Sequence, residues 1–167
     1  IVDPKAEIGK WKENLPDIAH EINIVNLTSE NNNKGLLDPY VILKLPKDSE
    51  SLAIDILTFL TGISSRDSEK FPVLRKAIRS VTQSEQRGLL LVIDELRKED
   101  TPISNSIADH IESFVDYDFA HLLFSDGNVT QSISLEKQLN IIQVADLVLP
   151  DSNSSLLGKI GRAVQQE

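Results

Sequence analysis

The 167 residues are enough for one domain with a hydrophobic core, and a hydrophobic fraction of 40% beside a charged fraction of 26% is typical of a soluble globular protein. A formal net charge of −9 argues against a generic phosphate-binding surface, and the lack of cysteine excludes disulfides and thiolate metal sites. No apolar run approaches the roughly 18 residues that a membrane-spanning helix needs.

The chain opens like the carboxyl end of a buried strand. Ile1 and Val2 are β-branched, and they run directly into an acidic residue and a proline. In parallel α/β sheets this end of the strand is where ligands bind. Asp3, Lys5 and Glu7 follow at once, and their charges fit a position near phosphates or a metal as well as they fit a solvated loop. We therefore expect one rim of a site here, within an internal piece of a larger protein.

The next segment predicts a short helix, a strand and a loop. Residues 10–14 favour a short helix that Pro16 would disturb. Residues 21–27 alternate polar and apolar side chains, which predicts a strand. Residues 28–35 contain three consecutive asparagines and a glycine, which indicates a surface loop, and the sequence Leu-Asp-Pro-Tyr at 37–40 ends it.

From about Ser49 to Phe124 the apolar spacing is helical. In a first helix over 51–60, Leu52, Ile56, Phe59 and Leu60 share a predicted face, and Gly62 would end it. Further helices are predicted from four signals: the stripe Leu74, Ala77, Ile78 and Val81; a capping box from Thr82 to Glu85; Thr101-Pro102 ahead of the stripe Ile103, Ile107, Ile111 and Val115; and the group Phe119, Leu122 and Leu123.

Strand character returns after a turn at 125–128. Residues 129–133 and 139–144 predict two strands, with Leu147 and Leu149 as a further extension of the second, and Leu156–Gln166 predicts a final helix. The order suggests sheet portions at 1–48 and 125–167 that flank a helical insertion at 49–124.

The segment Leu89–Glu95 has the form of a Walker B motif, in which a buried strand ends in an Asp for magnesium and a Glu that activates water. However, Leu89, Val92, Ile93 and Leu96 fall on one helical face, and nothing breaks the chain between Glu95 and Asp100. We therefore predict an amphipathic helix, with a true Walker B strand as the alternative that the backbone at Leu91 decides.

Other catalytic and binding motifs are missing from the sequence. No G-x-x-x-x-G-K-[ST] phosphate loop and no G-x-S-x-G elbow occur. The three histidines, His20, His110 and His121, are far apart and form no i,i+4 pair, so no metal site is predicted.

Three segments together resemble a known family. The opening "IVDPKAE" is similar to the "D-P-K-G-E" strand end that follows the Walker A helix in the HerA/FtsK superfamily of ATPases, with Ala6 in place of the usual glycine. "INIVNL" followed by "LDPY" is similar to a segment of the conjugation and type IV secretion ATPases, with Asp38 where asparagine is common. Residues 139–151 resemble the strand that follows a helical insertion in relatives from Gram-positive conjugative elements.

The resemblance implies a fragment of a RecA-like (P-loop NTPase) parallel sheet with an all-helical insertion, whose Walker A and Walker B motifs lie outside this chain. It implies ATP and Mg²⁺ in the intact protein and none in the fragment, with Asp3 and Lys5 near the nucleotide and Glu7 near the γ-phosphate or a neighbouring subunit. Implied partners are channel proteins and further copies in a hexamer, at the cytoplasmic face of a bacterial membrane, with no direct nucleic-acid binding by the fragment. The alternative is a non-enzymatic α/β interaction module.

Overall fold

The computed structural model describes residues 2–3, 7, 10–27, 34–115, 118–128, 133 and 137–144. Its elements make a mixed α/β structure in which a short parallel sheet accompanies a larger group of helices. In chain order they are β1 (Val2–Asp3), α1 (Trp11–Asn14), a 3-10 helix (Pro16–Glu21), β2 (Ile22–Asn26), α2 (Pro39–Ile42), α3 (Pro46–Thr61), α4 (Lys70–Gln83), α5 (Leu89–Glu99), α6 (Pro102–Val115), a 3-10 helix (Asp118–Leu122) and β3 (Leu139–Gln143). None of the helices in this described part is long and apolar enough to cross a membrane.

The three strands form one parallel sheet in the order β1-β3-β2. The last strand in the chain therefore lies between the first two, with Ile22 opposite Leu139 and Val2 opposite Ile142. The predicted strands at 21–27 and 139–144 are confirmed within one or two residues. The predicted strand at 129–133 and the final helix lie outside the described residues, apart from Ile133, which has no regular structure.

A helical arm, defined here as residues 10–21, connects β1 to β2. The predicted helix at 10–14 is confirmed as α1, and Pro16 begins the 3-10 helix that follows. Proline suits a first helical position because its missing N–H has no partner there in any case. Neither of the two helices in the arm contains a buried residue.

The prediction of the buried face of α3 was wrong, because the buried residues are shifted by about one position along the sequence. The buried line runs along Ser49, Ala53, Leu57 and Thr61, whereas Phe59 is 64% exposed. The helix packs against α2, α4 and α6 on the side of Ala53 and Leu57, which leaves the predicted residues on the flank or in solvent. Ala53 and Ser49 are small or polar, so they give a weak hydrophobic signal in the sequence. Gly62 does end the helix, with φ = 67°.

The stripes predicted for α4 and α6 are confirmed. Leu74, Ala77, Ile78 and Val81 are all buried. In α6, Ile107 and Ile111 are buried while Ile103 and Val115 are partly buried against the same core. The hydroxyl of Thr101 accepts a hydrogen bond from the Ser104 N–H at 3.1 Å, so Thr101 caps α6 as predicted.

The capping box predicted at Thr82 was wrong. Thr82 lies in the last turn of α4 and is buried, and its hydroxyl donates to the carbonyl oxygen of Ile78 at 2.9 Å. A threonine hydroxyl can donate to a carbonyl oxygen in the preceding helical turn, so threonine is compatible with the interior of a helix as well as with an N-cap. The division into parts at 1–48, 49–124 and 125–167 stays a prediction.

Candidate functional site at the carboxyl edge of the sheet

The carboxyl ends of all three strands meet at one edge of the sheet. The register places Asp3 opposite Gln143, and Gln143 opposite Asn26 on its other side. Three polar residues therefore form a row across this edge, each at the last position of its strand. In open parallel α/β sheets ligands bind beyond the carboxyl ends of the strands, so this row is the candidate functional site.

The predicted site residues Asp3, Lys5 and Glu7 lie at the end of β1 and directly after it in the sequence. The structure describes Asp3 and Glu7. Asp3 ends β1, and Lys5 lies outside the described residues. The side chain of Glu7 is exposed, and its carbonyl oxygen accepts a hydrogen bond from the Lys10 N–H at 3.3 Å, ahead of α1. Sequence reasoning missed Asn26 and Gln143, although each is a polar residue that ends an apolar strand.

Comparison with known proteins assigns the chain to a family. Residues 1–162 match the family described as "AAA-like domain", so the match covers the sheet edge and all the described helices. The chain belongs to the AAA-like domain family. This membership fits a P-loop ATPase of the HerA/FtsK type, as the "DPKAE" and "LDPY" segments implied.

A similar protein comes from Bacillus subtilis (strain 168) and is described as "Uncharacterized protein YddE". It is 29% identical over 167 residues, which is 90% of this chain and 20% of the relative. The chain thus spans about a fifth of the length of the curated relative that it matches. No solved structure matches the chain.

The segment that resembles a Walker B motif is helical, as predicted. Leu91 lies in α5, and Leu89, Val92, Ile93 and Leu96 are its buried residues. Glu95 accepts hydrogen bonds from Lys98 and from the hydroxyl of Ser80 on α4, the latter at 2.8 Å, and these two donors lower its pKa. A carboxylate held on a helix surface in this way does not lie at a strand end, so the alternative of a true Walker B strand is removed.

The described residues fit ATP and Mg²⁺ only in part. The carboxyl edge offers polar groups, but the sequence contains no phosphate loop. Within the part of the chain that the structure describes, no group of three or more His, Asp or Glu side chains is placed to hold a metal.

A second group of contacts centres on Asp38, whose side chain is fully buried at 0% exposure. Its Oδ1 accepts from the Tyr40 N–H at 2.9 Å and so caps α2. Its Oδ2 accepts from the Leu89 N–H at 2.8 Å and from the Ser125 N–H at 3.0 Å. Burial raises the pKa of Asp38, and the three backbone donors oppose that rise. One carboxylate thus joins α2, the start of α5 and the segment that follows the last 3-10 helix.

Backbone contacts complete this Asp38 junction, which we define as residues 35–38, 88–90 and 121–125. The Gly35 N–H donates to the His121 carbonyl at 2.5 Å, and the Leu37 N–H donates to the Leu122 carbonyl at 2.7 Å. The Leu90 N–H donates to the Ser125 carbonyl at 3.1 Å. The chain segments that enter and leave the helices α2–α6 are therefore bonded to each other. In the sequence analysis Asp38 was noted only because asparagine is common at this position in the ATPases that the chain resembles. Its position directly before Pro39 was the signal that could have predicted a helix cap.

Tyr40 extends the junction toward α4. Its phenol lies 3.0 Å from the Thr82 hydroxyl and 3.3 Å from the Ile78 carbonyl oxygen, to which it donates. Burial, and to a smaller extent the charges of Asp38 and Glu50, raises the pKa of Tyr40 to about 12, although the hydrogen bond between Tyr40 and Thr82 opposes the rise.

An alkaline titration checks this placement. Because the pKa of Tyr40 is about 12 in the folded protein and 10.0 for a free tyrosine side chain, the folded state retains the proton more strongly. The contribution of Tyr40 to the free energy of unfolding is therefore expected to be fully present below pH 10.0 and to be lost between pH 10.0 and about 12. This contribution is on the order of 2 kcal/mol. Tyrosinate absorbance should include a step near pH 12 that belongs to Tyr40. Tyr40→Phe should remove this step, and an unchanged titration would contradict the assignment.

Proposed function

We propose that this chain forms part of the RecA-like ATPase domain of a motor that powers conjugative DNA transfer or type IV secretion. The observation that carries the proposal is the parallel sheet in the order β1-β3-β2, with Asp3, Gln143 and Asn26 together at its carboxyl edge. Membership in the AAA-like domain family supports an ATPase-type parent protein. The resemblance of "IVDPKAE" and of "INIVNL" with "LDPY" to the secretion ATPases supports the more specific role.

In this proposal the chain supplies sheet and helices but not the complete nucleotide site. The sequence has no phosphate loop, and the segment with Walker B form is a helix. We propose that both motifs lie elsewhere in the same protein, whose relative is about five times the length that the chain covers. Residues 1–48 and 125–167 would then contribute to the sheet, and residues 49–124 would form a helical insertion.

For the intact protein we propose the roles that the resemblance of "IVDPKAE" implies. Asp3 and Lys5 lie near the bound ATP and Mg²⁺, and Glu7 lies near the γ-phosphate or a neighbouring subunit. The motor assembles as a hexamer at the cytoplasmic face of the membrane and contacts channel proteins. Since the chain is acidic, with a net charge of −9, its surface suits protein partners better than nucleic acid.

Calorimetric titration with ATP and Mg²⁺ gives the first test. The 167-residue chain is expected to show no measurable binding, because the backbone N–H groups of a phosphate loop are missing from it. The full-length protein should bind ATP and hydrolyse it. Micromolar binding by the 167 residues alone would contradict the proposed location of the phosphate loop. A full-length protein without ATPase activity would favour the non-enzymatic interaction module.

Substitution of Glu7 in the full-length protein gives the second test. Glu7→Gln is expected to lower the ATP turnover rate about 100-fold if Glu7 activates water or stabilises its attack, while ATP binding is retained. Glu13→Gln, an exposed carboxylate in α1, is the matched control and should leave turnover unchanged. Equal turnover in the two variants would show that Glu7 has no part in the reaction.

A further inference from the structure

Helix α3 presents an aromatic side chain to solvent. Phe59 is 64% exposed, whereas Leu57 and Thr61 on the packed side of the same helix are buried. Aromatic side chains are among the largest apolar groups in a protein, and they are enriched at protein–protein contacts. Phe59 is therefore the starting point for a contact surface at the carboxyl end of α3.

A backbone position without a side chain lies next to Phe59. Gly62 follows Phe59 by three positions, and residues three apart are neighbours on a helix surface. The Cα atom of Gly62 keeps this place because residues 59–61 are helical, and only its own φ of 67° departs from the helix. A Cβ atom built on Gly62 would meet nothing within 4 Å. A side chain from another molecule can therefore approach the backbone closely beside the exposed ring.

The surface around these two residues carries no charge. Residues 56–65 contain no Asp, Glu, Lys, Arg or His, although 26% of the whole chain is charged. The exposed residues within this stretch, which we call the α3 patch, are Phe59, Gly62, Ser64 and Ser65. A charged partner surface would lose hydration here without gaining an ion pair, so the α3 patch suits an uncharged partner surface.

The charges that border the α3 patch are mixed in sign. Asp55 is the last charged residue before the patch. After it, residues 66–70 contain two positive and two negative side chains, namely Arg66, Lys70, Asp67 and Glu69. The border therefore selects neither a strongly basic nor a strongly acidic partner.

We propose that the α3 patch is a contact surface for a second copy of this chain. In an antiparallel pair with a two-fold axis between Phe59 and Gly62, each Phe59 packs over Gly62 of the other copy. Such an isologous contact uses the same surface twice, so the exposed ring and the open glycine match each other in both directions. Two chains of net charge −9 repel each other, and an uncharged patch is the surface at which this repulsion opposes contact least.

The contact is small and separate from the ring of the proposed hexamer. An aromatic side chain buries about 150–250 Å², so two rings and their neighbours stay below the roughly 1,200 Å² of a stable complex. We therefore expect a dissociation constant between about 0.1 and 1 mM. Contacts around a ring are heterologous, whereas this one is isologous, and it needs neither ATP nor the rest of the parent protein.

Sedimentation equilibrium of the 167-residue protein measures the association. The average mass is expected to rise toward that of a dimer between about 0.05 and 1 mM protein. Phe59→Ser should weaken the association at least about tenfold, because each dimer loses both rings. Leu45→Ser is the matched control, since Leu45 is also 64% exposed but lies at the other end of α3, beside Lys44. A monomer at every concentration, or equal association in the two variants, would overturn the proposal.

Gly62→Asn tests the same contact with the aromatic ring in place. Asparagine tolerates the left-handed backbone at a helix end, so the fold is retained, but its side chain fills the space over residue 62. The association should weaken about tenfold. Unchanged association would show that Phe59 does not pack on Gly62, contrary to the proposal.

Salt dependence gives a measurement that needs no variant. Raising NaCl from about 0.05 to 0.5 M should leave the wild-type association unchanged or strengthen it, because screening reduces the repulsion between the two acidic chains. Dissociation at high salt would mean that charged surfaces make the contact, and it would overturn the assignment to the α3 patch.

Discussion

Asp38→Ala is expected to lower the free energy of unfolding by about 3–5 kcal/mol, since it leaves three buried backbone donors without an acceptor at about 1–3 kcal/mol each. The donors are the N–H groups of Tyr40, Leu89 and Ser125. They belong to three separate segments, so the substitution loosens the attachment of α2, of α5 and of the segment after the last 3-10 helix at once.

Asp38→Asn separates hydrogen bonding from side-chain volume. Asparagine keeps the shape but replaces one acceptor oxygen with an NH₂ group, which would face a backbone N–H. We expect a smaller loss of about 1–3 kcal/mol. Asp55→Asn changes an exposed carboxylate on α3 and should stay within about 0.5 kcal/mol of wild type.

Urea denaturation followed by circular dichroism measures all three variants. An Asp38→Asn protein as stable as Asp55→Asn would show that the carboxylate is not needed at this position.

The second large effect is expected at Gly35. Its φ is 71°, and a Cβ atom built there would clash with Cβ of Ser125 and lie 2.9 Å from its Cα. Alanine would have to adopt a left-handed backbone, at a cost of about 1–2 kcal/mol, and would in addition force the two connecting segments apart. Because such overpacking typically costs a further 1–3 kcal/mol, we expect Gly35→Ala to destabilise the protein by about 2–5 kcal/mol in total.

Gly62 provides a matched control for backbone strain. Its φ is 67°, close to that of Gly35, but an added Cβ would meet nothing within 4 Å. Gly62→Ala should therefore cost only the backbone strain, about 1–2 kcal/mol. The difference between the two variants, measured by denaturant unfolding, isolates the close approach of residue 35 to Ser125. Equal losses would mean that the two segments can separate at no cost.

Local periodicity in the sequence determined much of the secondary structure. The stripe from Leu74 to Val81 and the stripe from Ile107 to Ile111 predicted α4 and α6 because one face of each helix packs into the core along its whole length. The same argument identified α5 as a helix, although its residues have the form of a Walker B strand motif. The reason is that its apolar residues repeat at helical spacing, at Leu89, Val92, Ile93 and Leu96.

Only the tertiary structure decided the features that join distant segments. The order β1-β3-β2 depends on which strands pair, and no local pattern records that Leu139–Gln143 lies between the other two. The face of α3 was decided by the neighbours that pack on Ala53 and Leu57. Asp38 accepts hydrogen bonds from Leu89 and Ser125, which lie 51 and 87 positions further along the chain. The residues next to Asp38 in the sequence indicate only a helix cap. The physical reason is the same in each case: periodicity is set by neighbours along the chain, whereas pairing and burial are set by groups that only folding brings together.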